Sequence, residues 1–176
     1  LTPTDWMYVA EVKAGEPWMP GTLVPYADFS ISPAAGVLNY GQGLFEGMKA
    51  YRTEANRIVF FRPEENARRM QAGADRLRMP PVPESLFVDA VEQVVHANRD
   101  WVPPCGRGAL YVRPILFGSG PVLGVSPAPS FTFMVYCTPV GPYFKGGMNA
   151  ISLVSSEDHH RAAPVSYTHL TLPTMS

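Results

Sequence analysis

Apolar and polar positions along this 176-residue chain repeat at two periods, and the changes from one to the other outline its elements. Residues 5–13 are rich in aromatic and β-branched types and predict a strand, closed by the turn chemistry of Ala14-Gly15-Glu16-Pro17. Residues 23–30 predict a second strand, which the proline at position 25 assigns to a sheet edge. Ser32-Pro33 has the form of a short helix start. From 36 to 51 neither period holds. Gly36, Gly41, Gly43 and Gly47 would weaken any helix there, so backbone geometry governs the stretch.

Residues 57–61 predict a short strand, and Arg62-Pro63-Glu64-Glu65 a helix start with proline and acids in its first turn. Ala67, Met70, Ala74 and Leu77 then fall on one helical face, flanked by Arg68, Arg69, Arg76 and Arg78. Residues 84–100 repeat the pattern with Phe87, Val91, Val94 and Val95 inward, until Pro103 and Pro104 stop the helix. Two stronger strands follow, at 109–117 and 130–137, joined by a glycine-containing loop that turns sharply or lies close to something. Residues 141–147 predict a flexible connection and 150–154 a last strand. There is no internal repeat. Strands, two helices and strands again predict an α+β domain with helices packed on a mostly antiparallel sheet.

Composition narrows the function classes. With 46% hydrophobic and 16% charged residues the chain is globular, and its formal charge of −1 argues against nucleic acid or an anionic membrane as partner. No apolar run has the roughly eighteen residues of a membrane span. Cys105 and Cys137 stand in unlike contexts without a CxxC spacing, and are expected to be buried or inert thiols. The adjacent His159 and His160, and the isolated His96, give no metal site. Only three of the fourteen basic residues are lysines: Lys13, Lys49 and Lys145.

Arg113 is the most informative charge, because a guanidinium inside a nine-residue apolar strand needs an anion, either an internal carboxylate or a ligand. Tyr111, two residues earlier, shares its sheet face, and a phenol beside a guanidinium fork suits a carboxylate. Arg69 on its own reads either as part of a solvated helix face or as a functional cation. No GxSxG, P-loop or dinucleotide fingerprint is present.

Four motifs in register, Val37 to Tyr51, Phe61 to Met70, Leu110 to Pro114 and Gly118 to Val125, closely resemble the branched-chain amino-acid aminotransferases, particularly the plant-type members. The resemblance implies the small domain of the D-amino-acid aminotransferase-like (class IV) fold, pyridoxal 5'-phosphate as cofactor, and amino-group transfer from leucine, isoleucine or valine to 2-oxoglutarate. It matches Arg69 to the arginine that holds the cofactor phosphate, Tyr40 to a substrate-pocket tyrosine, and Tyr111 and Arg113 to the acceptor of the distal carboxylate of glutamate. Val125 matches the pocket lining and Tyr143 the interdomain-loop tyrosine. It further implies a homodimer and a plastid, mitochondrial or cytoplasmic compartment.

The match runs to His160-Arg161-Ala162-Ala163-Pro164 and then stops. Residues 165–176 look like translated adapter or vector sequence, contain no lysine, and are set apart from the fold. The expected organisation is a small domain at 1–142, an interdomain loop and truncated large-domain start at 143–164, and the foreign tail. The family's Schiff-base lysine is absent, and none of the three lysines matches it, so the chain alone is expected to be inactive. A D-amino-acid transaminase, an aminodeoxychorismate lyase and a non-catalytic interaction domain of the same fold are the alternatives.

Overall fold

The computed structural model describes residues 2–142, 150 and 152–155. Residues 2–142 lie in one compact unit, and residues from 144 onward are assigned to another. The first unit is built on a seven-stranded antiparallel sheet: β1 (Trp6–Lys13), β2 (Thr22–Pro25), β3 (Gly43–Phe45), β4 (Met48–Arg52), β5 (Ile58–Val59), β6 (Ala109–Gly118) and β7 (Ser130–Val140). The strands run β2-β1-β7-β6-β4-β5, with β3 also paired to β6. The expected fold class and the edge position of the proline-bearing second strand match this arrangement. That strand is shorter than predicted, ending at Pro25, where the missing N–H can no longer extend the ladder.

The glycine-rich stretch resolves into α1 (Gly36–Tyr40), β3 and β4. Gly41 ends α1 in a left-handed conformation, φ 64°, that lets its N–H reach back to the carbonyls of Gly36 and Val37. The two short strands take their partners from β6, in the registers Leu44 to Leu116 and Lys49 to Tyr111.

Helix α2 (Pro63–Arg76) begins at the proline-acid signal, with Glu64 and Glu65 in its first turn. Ala67, Met70 and Ala74 are buried, but Leu77 is not. The helix has ended there, with the Met79 N–H turning back to the Ala74 carbonyl, so Leu77 is carried out of the apolar stripe. Helix α3 (Glu84–Ala97) buries Phe87, Val91, Val94 and Val95 as predicted. At its end the buried Asn98 side chain accepts hydrogen bonds from the main-chain N–H groups of Asp5 and Trp6, and donates to the carbonyls of Trp6 and Val94. One side chain thus fastens a helix terminus to the first strand.

The core lies between these helices and one face of the sheet. Tyr8, Leu110, Val112, Leu116, Phe133 and Val135 are all fully buried there. Phe133 makes ring contacts with Tyr8, Trp18 and Phe87 at centroid distances of 6.4, 6.3 and 5.9 Å. Cys137 is on the same face, and burial pushes its thiol up to about 12. Cys105, by contrast, is exposed rather than buried, because its loop follows two prolines at the sheet margin. Of the strand expected at 150–154, the described residues 150 and 152–154 are irregular. Tyr143, Lys145, His159 and His160 lie outside the described residues.

Candidate active site

The second face of the sheet carries different chemistry. Alternation along β6 sends Leu110 and Val112 into the core and turns Tyr111 and Arg113 the other way, beside Lys49 of β4 and Tyr136 of β7. Arg113 donates from Nε and Nη2 to the Tyr111 hydroxyl at 3.2 and 2.8 Å. Its guanidinium carbon stands 4.0 Å from the centroid of the Phe45 ring and 5.2 Å from that of Tyr111. Among the described residues no carboxylate forms an ion pair with it. Of the two anions the sequence left open, the internal one is therefore not found there. The guanidinium is instead supported by a phenol oxygen and two aromatic faces, which stabilise a cation without neutralising it.

Tyr111 reaches that position because of Gly47. A Cβ at residue 47 would overlap the Tyr111 hydroxyl, so the glycine in the turn between β3 and β4 is the space the phenol occupies. Tyr111 also lines a cleft of about 550 Å³ with Gly47, Lys49, Asn66 and Arg69. Arg69, on the exposed side of α2, is not simply solvated: it donates from Nε and Nη2 to the two carboxylate oxygens of Glu46, at 3.0 and 2.7 Å. Hydrogen bonding to Glu46 is the main reason its guanidinium is held above its ordinary pKa, with burial working against it. Arg68 and Arg62 pair instead with Glu65, and Arg68 also with Glu84, on the outer surface.

Tyr40 and Val125 form a separate group. The Tyr40 hydroxyl accepts from the Gly124 N–H at 2.7 Å, which ties α1 to the loop between β6 and β7 and leaves Val125 fully exposed beside it. Neither residue lines the cleft that holds Arg69 and Tyr111. Gln42 braces the same loop, accepting from the Ala128 N–H and donating to the Leu77 carbonyl, both at 3.0 Å. Sequence reasoning did not single out Gln42, Phe45 or Glu46. The available signal was a carboxylate between an aromatic and a glycine in a stretch already marked as geometrically constrained.

Among the described residues no cluster of His, Cys, Asp and Glu could hold a metal, and no helix is long and apolar enough to cross a membrane. For pyridoxal phosphate, the residues present fit the phosphate end. Arg69 keeps three N–H groups outside its bonds to Glu46, and Lys49 and Arg62 line the same cleft.

A seven-stranded antiparallel sheet with two helices on one face and a cationic cleft at the other is the class IV aminotransferase fold. The chain is similar to a solved bacterial-type structure, a branched-chain amino acid aminotransferase with pyridoxamine 5'-phosphate. The TM-score is 0.63 and the identity 27%, over 81% of this chain and 42% of that one. It is also similar to the branched-chain aminotransferase of the thermophilic archaeon Thermoproteus uzoniensis with norvaline, at a TM-score of 0.62 and 25% identity, over 80% of this chain and 43% of that one. By sequence it is a relative of the plant branched-chain-amino-acid aminotransferases. It is 56% identical to branched-chain-amino-acid aminotransferase 6 of Arabidopsis thaliana, over 92% of this chain and 45% of that protein. A methionine aminotransferase of the same organism is 52% identical, over 92% of this chain and again 45% of the relative. The chain thus spans less than half the length of these relatives, and no protein-family model matches it.

Proposed function

We propose that these residues belong to a pyridoxal-phosphate-dependent branched-chain aminotransferase that moves the amino group of leucine, isoleucine or valine to 2-oxoglutarate. The carrying observation is that Arg69 and the Tyr111–Arg113 pair meet across one cleft, with Tyr111 lining it directly. The cofactor supplies the amino-group carrier and electron sink. This chain supplies Arg69 to hold its phosphate, and Tyr111 with Arg113 to receive the distal carboxylate of glutamate or 2-oxoglutarate. Tyr40 and Val125, with Tyr143, serve as apolar lining for the branched side chain. One pocket must accept a carboxylate in one half-reaction and an aliphatic chain in the other. A guanidinium flanked by the Phe45 and Tyr111 rings suits both, since the rings offer apolar surface when the anion is gone.

Residues 1–142 are assigned as the small domain, 143–164 as the connection into a large domain, and a homodimer as the working assembly. With no lysine matched to the family's catalytic position, the 176 residues by themselves bind but do not turn over. The test is a full-length protein carrying this sequence, assayed with leucine, valine, methionine, D-alanine and aminodeoxychorismate. Branched-chain turnover is expected, with methionine included because of the second relative. Arg113→Gln is expected to raise KM for 2-oxoglutarate at least tenfold, with the KM for leucine changed less than threefold. Equal effects on both substrates would remove Arg113 from the carboxylate role, and turnover of D-alanine alone would replace the substrate class.

A further inference from the structure

Resting on the reading of Arg69 as the phosphate-holding cation, we propose that Glu46 is the residue that positions it: Glu46 fixes the edge the Arg69 guanidinium presents to a phosphate monoester, despite adding a negative charge nearby. The two partners are held very unequally. The Glu46 main-chain N–H donates to the Pro114 carbonyl of β6 at 2.9 Å, which anchors the residue to the centre of the sheet. Its side chain is only 12% exposed, and its Oε2 also accepts from Asn66 Nδ2 at 2.8 Å. Asn66 is itself buried and makes a longer donation, 3.3 Å, to the Gly47 carbonyl. Arg69 has a side chain 55% exposed, and among the described residues Glu46 is its only hydrogen-bonding partner.

Glu46 therefore acts as the fixed half of the pair and Arg69 as the half that is fixed. The carboxylate takes Nε–H and one Nη2–H, leaving both Nη1 protons and the second Nη2 proton, the edge that matches two oxygens of a phosphate. Glu46 does not line the cleft whereas Arg69 does, so the carboxylate stands behind the guanidinium rather than in the ligand's place. An unrestrained arginine would lose its rotamer freedom when the ligand arrives; here much of that freedom is already lost. The opposing effect is repulsion between the carboxylate and the phosphate. It acts across a half-exposed guanidinium in a screened setting, and is the smaller of the two.

The sign of the effect separates these possibilities. The 176-residue chain is titrated with pyridoxamine 5'-phosphate, followed by its phosphorus resonance, in the wild type, Glu46→Gln, Glu46→Asp, Arg69→Ala and the double variant Glu46→Gln/Arg69→Ala. Glu46→Gln keeps the shape and removes the charge, while Glu46→Asp keeps the charge and withdraws it from the fork. Both are expected to weaken binding at least fivefold, and Glu46→Gln to cause no further weakening once Arg69 is alanine. Tighter or unchanged binding in Glu46→Gln would overturn the proposal, since the carboxylate would then be a competitor or a bystander. So would an equal loss in the Arg69→Ala background, because Glu46 would then act through the fold. A wild-type chain that does not bind, or an Arg69→Ala variant that binds like wild type, would remove the phosphate reading of Arg69 and this inference with it.

Discussion

The two faces of β6 obey the same alternation and do opposite things. On one, Leu110, Val112 and Leu116 are fully buried under α2 and α3, together with Phe133 and Val135 of β7. On the other, Tyr111 and Arg113 are half-buried, and Arg113 leans on a phenol and two rings without a carboxylate partner among the described residues. The core face is satisfied by area, which any apolar side chain of the right volume supplies. The second face is satisfied by direction: a hydroxyl aimed at a guanidinium, and a missing Cβ that makes room for the hydroxyl. Stability and recognition are thus placed on adjacent residues of one strand, and substitutions on the two faces should fail in different ways.

The largest effect belongs to the core face. Phe133→Ala removes the ring that Tyr8, Trp18 and Phe87 all contact, and is expected to cost about 3–5 kcal/mol in denaturant unfolding. A loss below about 1 kcal/mol would mean that the helices are not fastened through this ring. Gly47→Ala comes next. The added methyl meets the Tyr111 hydroxyl, so overpacking of about 1–3 kcal/mol is expected. Because the obstacle is a single oxygen, Tyr111→Phe in the same chain should recover much of that cost. A double-mutant cycle with no coupling would place the strain elsewhere.

What was legible in the sequence follows the same division. The long strands β6 and β7 and the helices α2 and α3 announce themselves by period, because their partners are numerous and their apolar stripes unbroken. The shared face of Tyr111 and Arg113 came from the same parity. The stretch from Gly36 to Tyr51 did not resolve, since β3 and β4 have three and five residues and are strands only because β6 lies beside them. Its glycines were readable as constraint but not as shape; that Gly47 makes room for Tyr111, far along the chain, is a tertiary fact. Glu46 was hidden for the same reason, its partner Arg69 lying 23 residues downstream. Leu77 misled because the periodic pattern continues one residue past the point where the backbone turns.

The smallest expected change in stability is on the open face, at Arg113→Met. A buried, neutralised arginine would cost several kcal/mol to remove, because its carboxylate would be left behind. Here nothing of opposite charge would be left among the described residues, and the Tyr111 hydroxyl that loses its two donors is half-exposed and able to take water instead. Methionine keeps an unbranched apolar stem of similar length against the Phe45 ring, with a thioether that packs well on aromatic surface. Stability should therefore stay within about 1 kcal/mol of wild type. Binding should not: in a full-length protein the variant is expected to lose glutamate-dependent turnover while retaining that from leucine. A large loss of stability would show that Arg113 belongs to the framework, and would erase the distinction between the two faces that the other variants depend on.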